Sequence, residues 1–199
     1  MNLNNYFKKK QMKYLIFVQI ILILSGCSSL TDLSQNNYDI LQLNENNYEN
    51  LNGLYKNYED TVFGKIIHSP SRGMDETKRK LLDRLFVSIP NEAYNKNIIV
   101  EFKFISKKEA IINAYQKDSL LFTKSINGKL KNGYFYVKPR VFIIPFFPIF
   151  YWHNFERVRI SKSNNNLIVD HSLKMWGFAL IAGGSDNGLT TSIYLKEEK

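Results

Sequence analysis

Cysteine is nearly absent from this chain. Cys27 stands alone among 199 residues, so no intramolecular disulfide can form and stability has to come from a packed core. Acidic side chains are missing before Asp32, although Lys8, Lys9, Lys10 and Lys13 crowd the same stretch. Long apolar runs are scarce as well. The longest, Tyr14 to Leu24, holds eleven residues with only Gln19 strongly polar. As a helix it would rise about 16 Å, roughly half of a ~30 Å hydrocarbon core, which is too short for a comfortable span. Catalytic signatures are also lacking: no Gly-x-Ser-x-Gly, P-loop, dinucleotide fingerprint or His-Glu-x-x-His occurs. His68, His153 and His171 have no metal-motif spacing and no cysteine to join them. A non-enzymatic protein without metal or cofactor is therefore expected, and there is no internal repeat of fixed period.

What is present at the amino end has a consistent order. A basic region, a short apolar run and small residues, Ser25 and Gly26, lead directly to Cys27. That order is the signature of an exported precursor. Leu24-Ser25-Gly26-Cys27 resembles the lipobox of bacterial lipoproteins. The resemblance implies a signal peptide over residues 1–26, cleavage before Cys27, a diacylglyceryl group on its thiol and a fatty acyl chain such as palmitate on its new amine. One acyl chain binds a membrane marginally; two or more, at about 0.8 kcal/mol per buried methylene, hold stably. The implied mature protein is thus tethered to a membrane without spanning it. Ser28 in place of Asp after the cysteine points, by the sorting rule of Gram-negative lipoproteins, to the outer membrane facing the periplasm. Met12-Lys13 also reads as a start, with the cut site unchanged.

Removing those 26 residues and their four lysines from a chain of net charge +9 leaves 173 residues at +5. That length suits one domain with a real core. The moderate basic excess fits anionic lipid or envelope polymers, and export excludes nucleic acid. Residues 27–37, the lipidated cysteine followed by polar "SSLTDLSQNN", read as a flexible tether, and 38–199 as a single β-rich globular domain. Met74 to Phe86 reads as one short helix, with Asp75 and Glu76 at its start and Leu81, Leu82, Leu85 and Phe86 on one side. From Ile98 the period is two: Ile98, Val100, Phe102 and Phe104 alternate with Ile99, Glu101 and Lys103. Asn132-Gly133 between strand-like flanks is the type I′ hairpin pair. Strands are also expected at Glu156–Ser161 and Asn165–Gly184, paired across Ser163-Asn164-Asn165. "GGSDNG" (183–188) reads as a turn before the last strand. Its Ser185-Asp186-Asn187 element lacks the Ser-x-x-Lys and Lys-Thr-Gly that penicillin-interacting enzymes require.

About eight strands with short links predict a mainly β fold, an antiparallel up-and-down meander. A small barrel with one short helix is the first expectation and a two-sheet β-sandwich the alternative. Gly53-Leu54-Tyr55 ahead of the meander, with Lys196 late in the chain, resembles the lipocalin-like (calycin) lipoproteins. In that family Gly-x-Trp opens the barrel and a late basic residue packs over the indole; here Tyr replaces Trp. The candidate site is "FIIPFFPIFYWHNF" (Phe142 to Phe155), with Pro145 and Pro148 expected to break a regular ladder. Phe146, Phe147, Phe150, Tyr151 and Trp152 would gate an apolar cavity or touch the bilayer; a buried crossing between strands is the structural alternative. His171, in phase with Leu167, Val169, Leu173 and Met175, would read a ligand inside the barrel or serve as a core histidine. Two functions follow: a lipoprotein binding an apolar or amphipathic small molecule, or one with a filled core docking on another envelope protein.

Overall fold

The computed structural model describes residues 39–65, 80–87, 97–146, 149–180 and 182–198. Cys27, the expected signal peptide, the tether, the turn "SPSRG" and the residues 74–79 of the expected helix lie outside them. Eleven strands are present: β1 (Gly53–Lys56), β2 (Thr61–Lys65), β3 (Ile98–Ser106), β4 (Glu109–Gln116), β5 (Ser119–Lys131), β6 (Tyr134–Val137), β7 (Arg140–Phe146), β8 (Phe150–Ser163), β9 (Asn166–Ala179), β10 (Ala182–Tyr194) and β11 (Lys196–Glu197). Every pairing is antiparallel. The path runs β11-β1-β3-β4-β5-β6-β8-β9-β10-β2, with β7 attached to β8. This is the predicted mainly β, up-and-down meander.

Two long strands bend the sheet around its core. The first half of β5 ladders with β4 (to Asn127) and its second half, from Gly128, with β6. A Cβ at Gly128 would lie 2.3 Å from the Tyr136 carbonyl oxygen and 2.5 Å from the Phe135 ring, so only glycine lets the strands approach there. At the other side, Leu195 alone separates β10, which borders β2, from β11, which borders β1. Its carbonyl accepts from the Lys56 N–H at 3.0 Å, while Ile193 O accepts from the Asp60 N–H at 2.8 Å. Among the described residues no ladder joins β11 to β2, so the sheet is not closed; the two ends meet through the bend of one chain.

The interior is filled by the residues that the alternation placed inward. Val100, Phe102, Phe104 and Ile112 from one half of the sheet meet Phe135, Val158, Ile160, Val169 and Tyr194 from the other. Tyr55 and Phe102 rings contact edge-on at 5.7 Å, and Phe104 and Phe135 at 4.9 Å. Each such side chain contributes about 1.5–3 kcal/mol on full burial. Tyr55 of the Gly-x-aromatic element is fully buried, donates its hydroxyl to Leu51 O at 2.9 Å and lies opposite Lys196 in the β1–β11 register.

The helix is shorter than its sequence predicts. α1 covers Leu81–Arg84. Lys80 is extended (φ −73°, ψ 144°) and bridges Tyr58, which blocks extension backwards. Phe86 adopts φ 60°, and the Val87 N–H returns to Leu82 O at 2.9 Å, a Schellman-type closure. Buried Asn57 holds the start, accepting from the Leu81 N–H through its carbonyl (2.7 Å) and from the Leu82 N–H through Oδ1 (3.2 Å). Arg84 locks the turn to β10: Nη1 donates to Thr190 Oγ1 at 2.8 Å, Nη2 to Ser192 Oγ at 3.2 Å, and Glu59 Oε2 lies 3.7 Å away.

Candidate functional site

β7 and the adjoining ends of β8, β9 and β10 extend past this core as a four-stranded blade. Its registers are continuous: Val141↔Phe155 through Phe146↔Phe150, Phe150↔Ala179 through Phe155↔Lys174, and Ala182↔Ala179 through Asn187↔Lys174. The ladder passes through Pro145, which pairs with Tyr151, instead of breaking there. Among the described residues β7 pairs with β8 only, and an edge strand tolerates proline because its missing N–H takes no ladder bond. The stretch is therefore not a buried crossing. It is a hairpin with every residue of β7 open to solvent and Phe150 to Phe155 of β8 half-buried.

No charged residue occurs from Val141 to Phe155. Pleating sends successive side chains to opposite faces, and both faces carry large apolar side chains, with Asn154 and Asp186 on one and His153 on the other. On one, Phe142, Ile144, Phe146, Phe150 and Trp152 align, with Met175 and Leu173 packed against Trp152. A Cβ on Gly177 would sit 2.4 Å from Trp152 Cε3, so the indole lies directly across that glycine. On the other face Tyr151 contacts Trp176 at 5.2 Å and stacks on Phe178 at 6.0 Å. His153 stacks on Phe155 at 6.2 Å, and Arg157 lies 4.5 Å over the Phe155 ring. Burial and neighbouring Lys174 hold the His153 imidazole below its ordinary pKa.

The far end of the blade is the most exposed apolar part of the described chain: Phe146 at 63%, Ile149 at 51% and Leu180 at 71%. The Leu180 N–H donates to Ile149 O at 2.6 Å, which fastens the β7–β8 and β9–β10 turns to each other. Leu180 sits at φ 55° in the left-handed region, where a leucine is disfavoured and Asn or Gly is ordinary. Asn132-Gly133 and Asn164-Asn165 follow that rule, while Lys117, beside Asp118 in the β4–β5 turn, stands at φ 47°. The turn expected at 183–188 is not one: those residues are strand β10, and the reversal occurs at Leu180.

The expected site residues separate. Phe146, Phe150 and Trp152 share one face, Tyr151 the other, and Phe147 lies outside the described residues. His171 is six residues along β9 from Gly177, the partner of Trp152, and so about 20 Å away. It is buried at the blade's root, its Nε2 3.5 Å from Glu156 Oε2 and its ring 6.5 Å from that of Phe86. The sequence reading missed Trp176 and Phe178. They alternate in the phase opposite to His171 and Met175. A groove of about 970 Å³ lies elsewhere, on the outer face of β1, β3 and β4, lined by Lys56, Glu101, Tyr115, Lys117 and Glu197 among others. Among the described residues no helix is long and apolar enough to cross a membrane, and no three His, Cys, Asp or Glu side chains gather as metal ligands. Comparison with known proteins finds no matching family model, no similar curated protein and no matching solved structure.

Proposed function

We propose that this is a non-enzymatic lipoprotein of the cell envelope, anchored through lipid on Cys27, which docks on an apolar surface with its blade. The observation that carries the docking role is the blade's β7–β8 hairpin, which has no Asp, Glu, Lys or Arg from Val141 to Phe155, and the blade's exposed end at Phe146, Ile149 and Leu180. Monomeric soluble proteins seldom expose contiguous apolar area on that scale without using it. The filled interior, with Phe102, Phe104 and Phe135 at its centre, favours docking over uptake of a small apolar ligand into the core. The anchor rests on Leu24-Ser25-Gly26-Cys27 and its basic, apolar lead-in, and the outer membrane on Ser28.

Growth in radiolabelled palmitate, followed by envelope fractionation, tests the reading. The account expects label on the protein, recovery in the membrane fraction, and loss of both for Cys27→Ser. An unlabelled product that stays soluble and retains Met1 or Met12 would rule out the anchor. The docking half would be ruled out if Phe146→Asp and Ile149→Asp left every association of the labelled protein unchanged.

A further inference from the structure

The end of the blade is layered in the order of a membrane interface, and we infer that it dips into the bilayer that holds Cys27. This rests on the lipoprotein reading and names what the blade docks on. Outermost are Phe146, Ile149, Phe150 and Leu180, purely apolar and, at three of these positions, more than half exposed. One to three residues inward lie Tyr151, Trp152 and Trp176, rings with polar tips that favour the headgroup boundary. Further along come Asp186, Lys174, Arg140, Glu156 and Arg157, of which three are basic, at the level where anionic headgroups would stand. A protein partner would cover one face of a sheet; here aromatic and aliphatic side chains stand on both faces of the β7–β8 hairpin, which suits a medium that surrounds the tip.

Depth is bounded by hydrogen bonding. The outer edge of β7 has no ladder partner among the described residues, and unpaired backbone groups are not tolerated in hydrocarbon. Insertion is therefore shallow, about 5–10 Å, as for other interfacial elements. That depth takes Phe146, Ile149, Leu180 and the two or three residue pairs behind them.

The anchor permits this geometry. Leu41 donates its N–H to Lys162 O, twelve residues down β8 from Phe150 and so about 40 Å from the tip. Fourteen residues separate Cys27 from Leu41, and a chain of that length spans up to about 48 Å. Cys27 and the tip can thus reach one bilayer together, and the second contact becomes intramolecular.

Leu180 supports the same conclusion from the side of stability. A leucine held at φ 55° on a turn, 71% exposed, gains nothing for the fold. Its apolar surface is what distinguishes it from the asparagines in the opposite turns.

Trp152 and Trp176 are the chain's two tryptophans, both within the blade, so tryptophan fluorescence, excited at the red edge where tyrosine does not absorb, reports on it alone. Full-length lipidated protein is reconstituted into vesicles of phosphatidylethanolamine with phosphatidylglycerol as the anionic minor lipid, some carrying acyl chains brominated near the headgroup. Expected are a blue shift and quenching by brominated lipid in the host vesicle, both lost in the Ile149→Asp/Leu180→Asp variant with an unchanged far-UV spectrum. Leu180→Gly should raise Tm by about 2–4 °C and still weaken quenching, a pairing that a structural role for Leu180 would not produce. Full-length Cys27→Ser, added to brominated vesicles, separates the two readings: quenching there without palmitate on the wild type would sink only the anchor. Palmitoylated protein that reconstitutes without quenching overturns the insertion. So does quenching solely by brominated lipid in a second vesicle population, or a blue shift without bromine quenching, which marks contact with protein.

Discussion

Gly177 shows how one missing methyl group shapes the blade. The Trp152 ring occupies the space in which a Cβ would stand, at 2.4 Å, with the Tyr151 carbonyl oxygen 2.8 Å away. Gly177→Ala should displace the indole, cost about 1–3 kcal/mol by overpacking and shift the near-UV circular dichroism while the far-UV spectrum holds. His153 supplies the pH dependence. Its pKa in the folded protein lies below the unfolded value near 6.5, because burial and Lys174 oppose protonation. Between those two values the unfolded chain binds the proton and the native protein does not, so stability falls as pH drops through about 6.5. Chemical denaturation of wild type and His153→Gln between neutral and mildly acidic pH should show a shallower acid loss in the variant. Equal slopes would place the acid sensitivity elsewhere. His171 was legible in the sequence as an inward residue; its distance from Trp152 was not, since alternation assigns a face but no position along a sheet.

At the scale of elements, local chemistry and tertiary context divide the outcome. Asn132-Gly133 and Asn164-Asn165 form turns where the sequence placed them, because left-handed backbone at these positions is a property of the residues themselves. The glycines of 183–188 misled for the opposite reason: β10 keeps them extended against β9, and the turn falls on Leu180, a residue with no local preference for it. Of the expected helix the described part is helical over Leu81–Arg84 only, because Lys80 is extended and bridged to Tyr58. What holds the remaining turn of helix is Arg84, 3% exposed, with Glu59 equally buried beside it. Arg84→Ala removes the buried guanidinium that faces that carboxylate and donates to Thr190 and Ser192, and should cost about 3–5 kcal/mol, measured by urea unfolding. A loss under about 1 kcal/mol would mean the pair is solvated and the helix is held by its leucines alone.

At the scale of the whole molecule, a filled β body and an exposed blade divide the labour. The alternation of β3 made the body legible. Its curvature was not, because it depends on β5 changing partners at Gly128 and on the last strand bending at Leu195. The blade was half legible: "FIIPFFPIFYWHNF" stood out, but its second half, Trp176 to Leu180, was read as ordinary strand. Hydrogen exchange on the full-length lipidated protein, compared in detergent and in anionic vesicles, tests this division most directly. The account predicts new protection confined to the tip, Ile144 to Trp152 and Gly177 to Gly184, with the body unchanged. Protection centred instead on the outer face of β1, β3 and β4, with none at the tip, would contradict it.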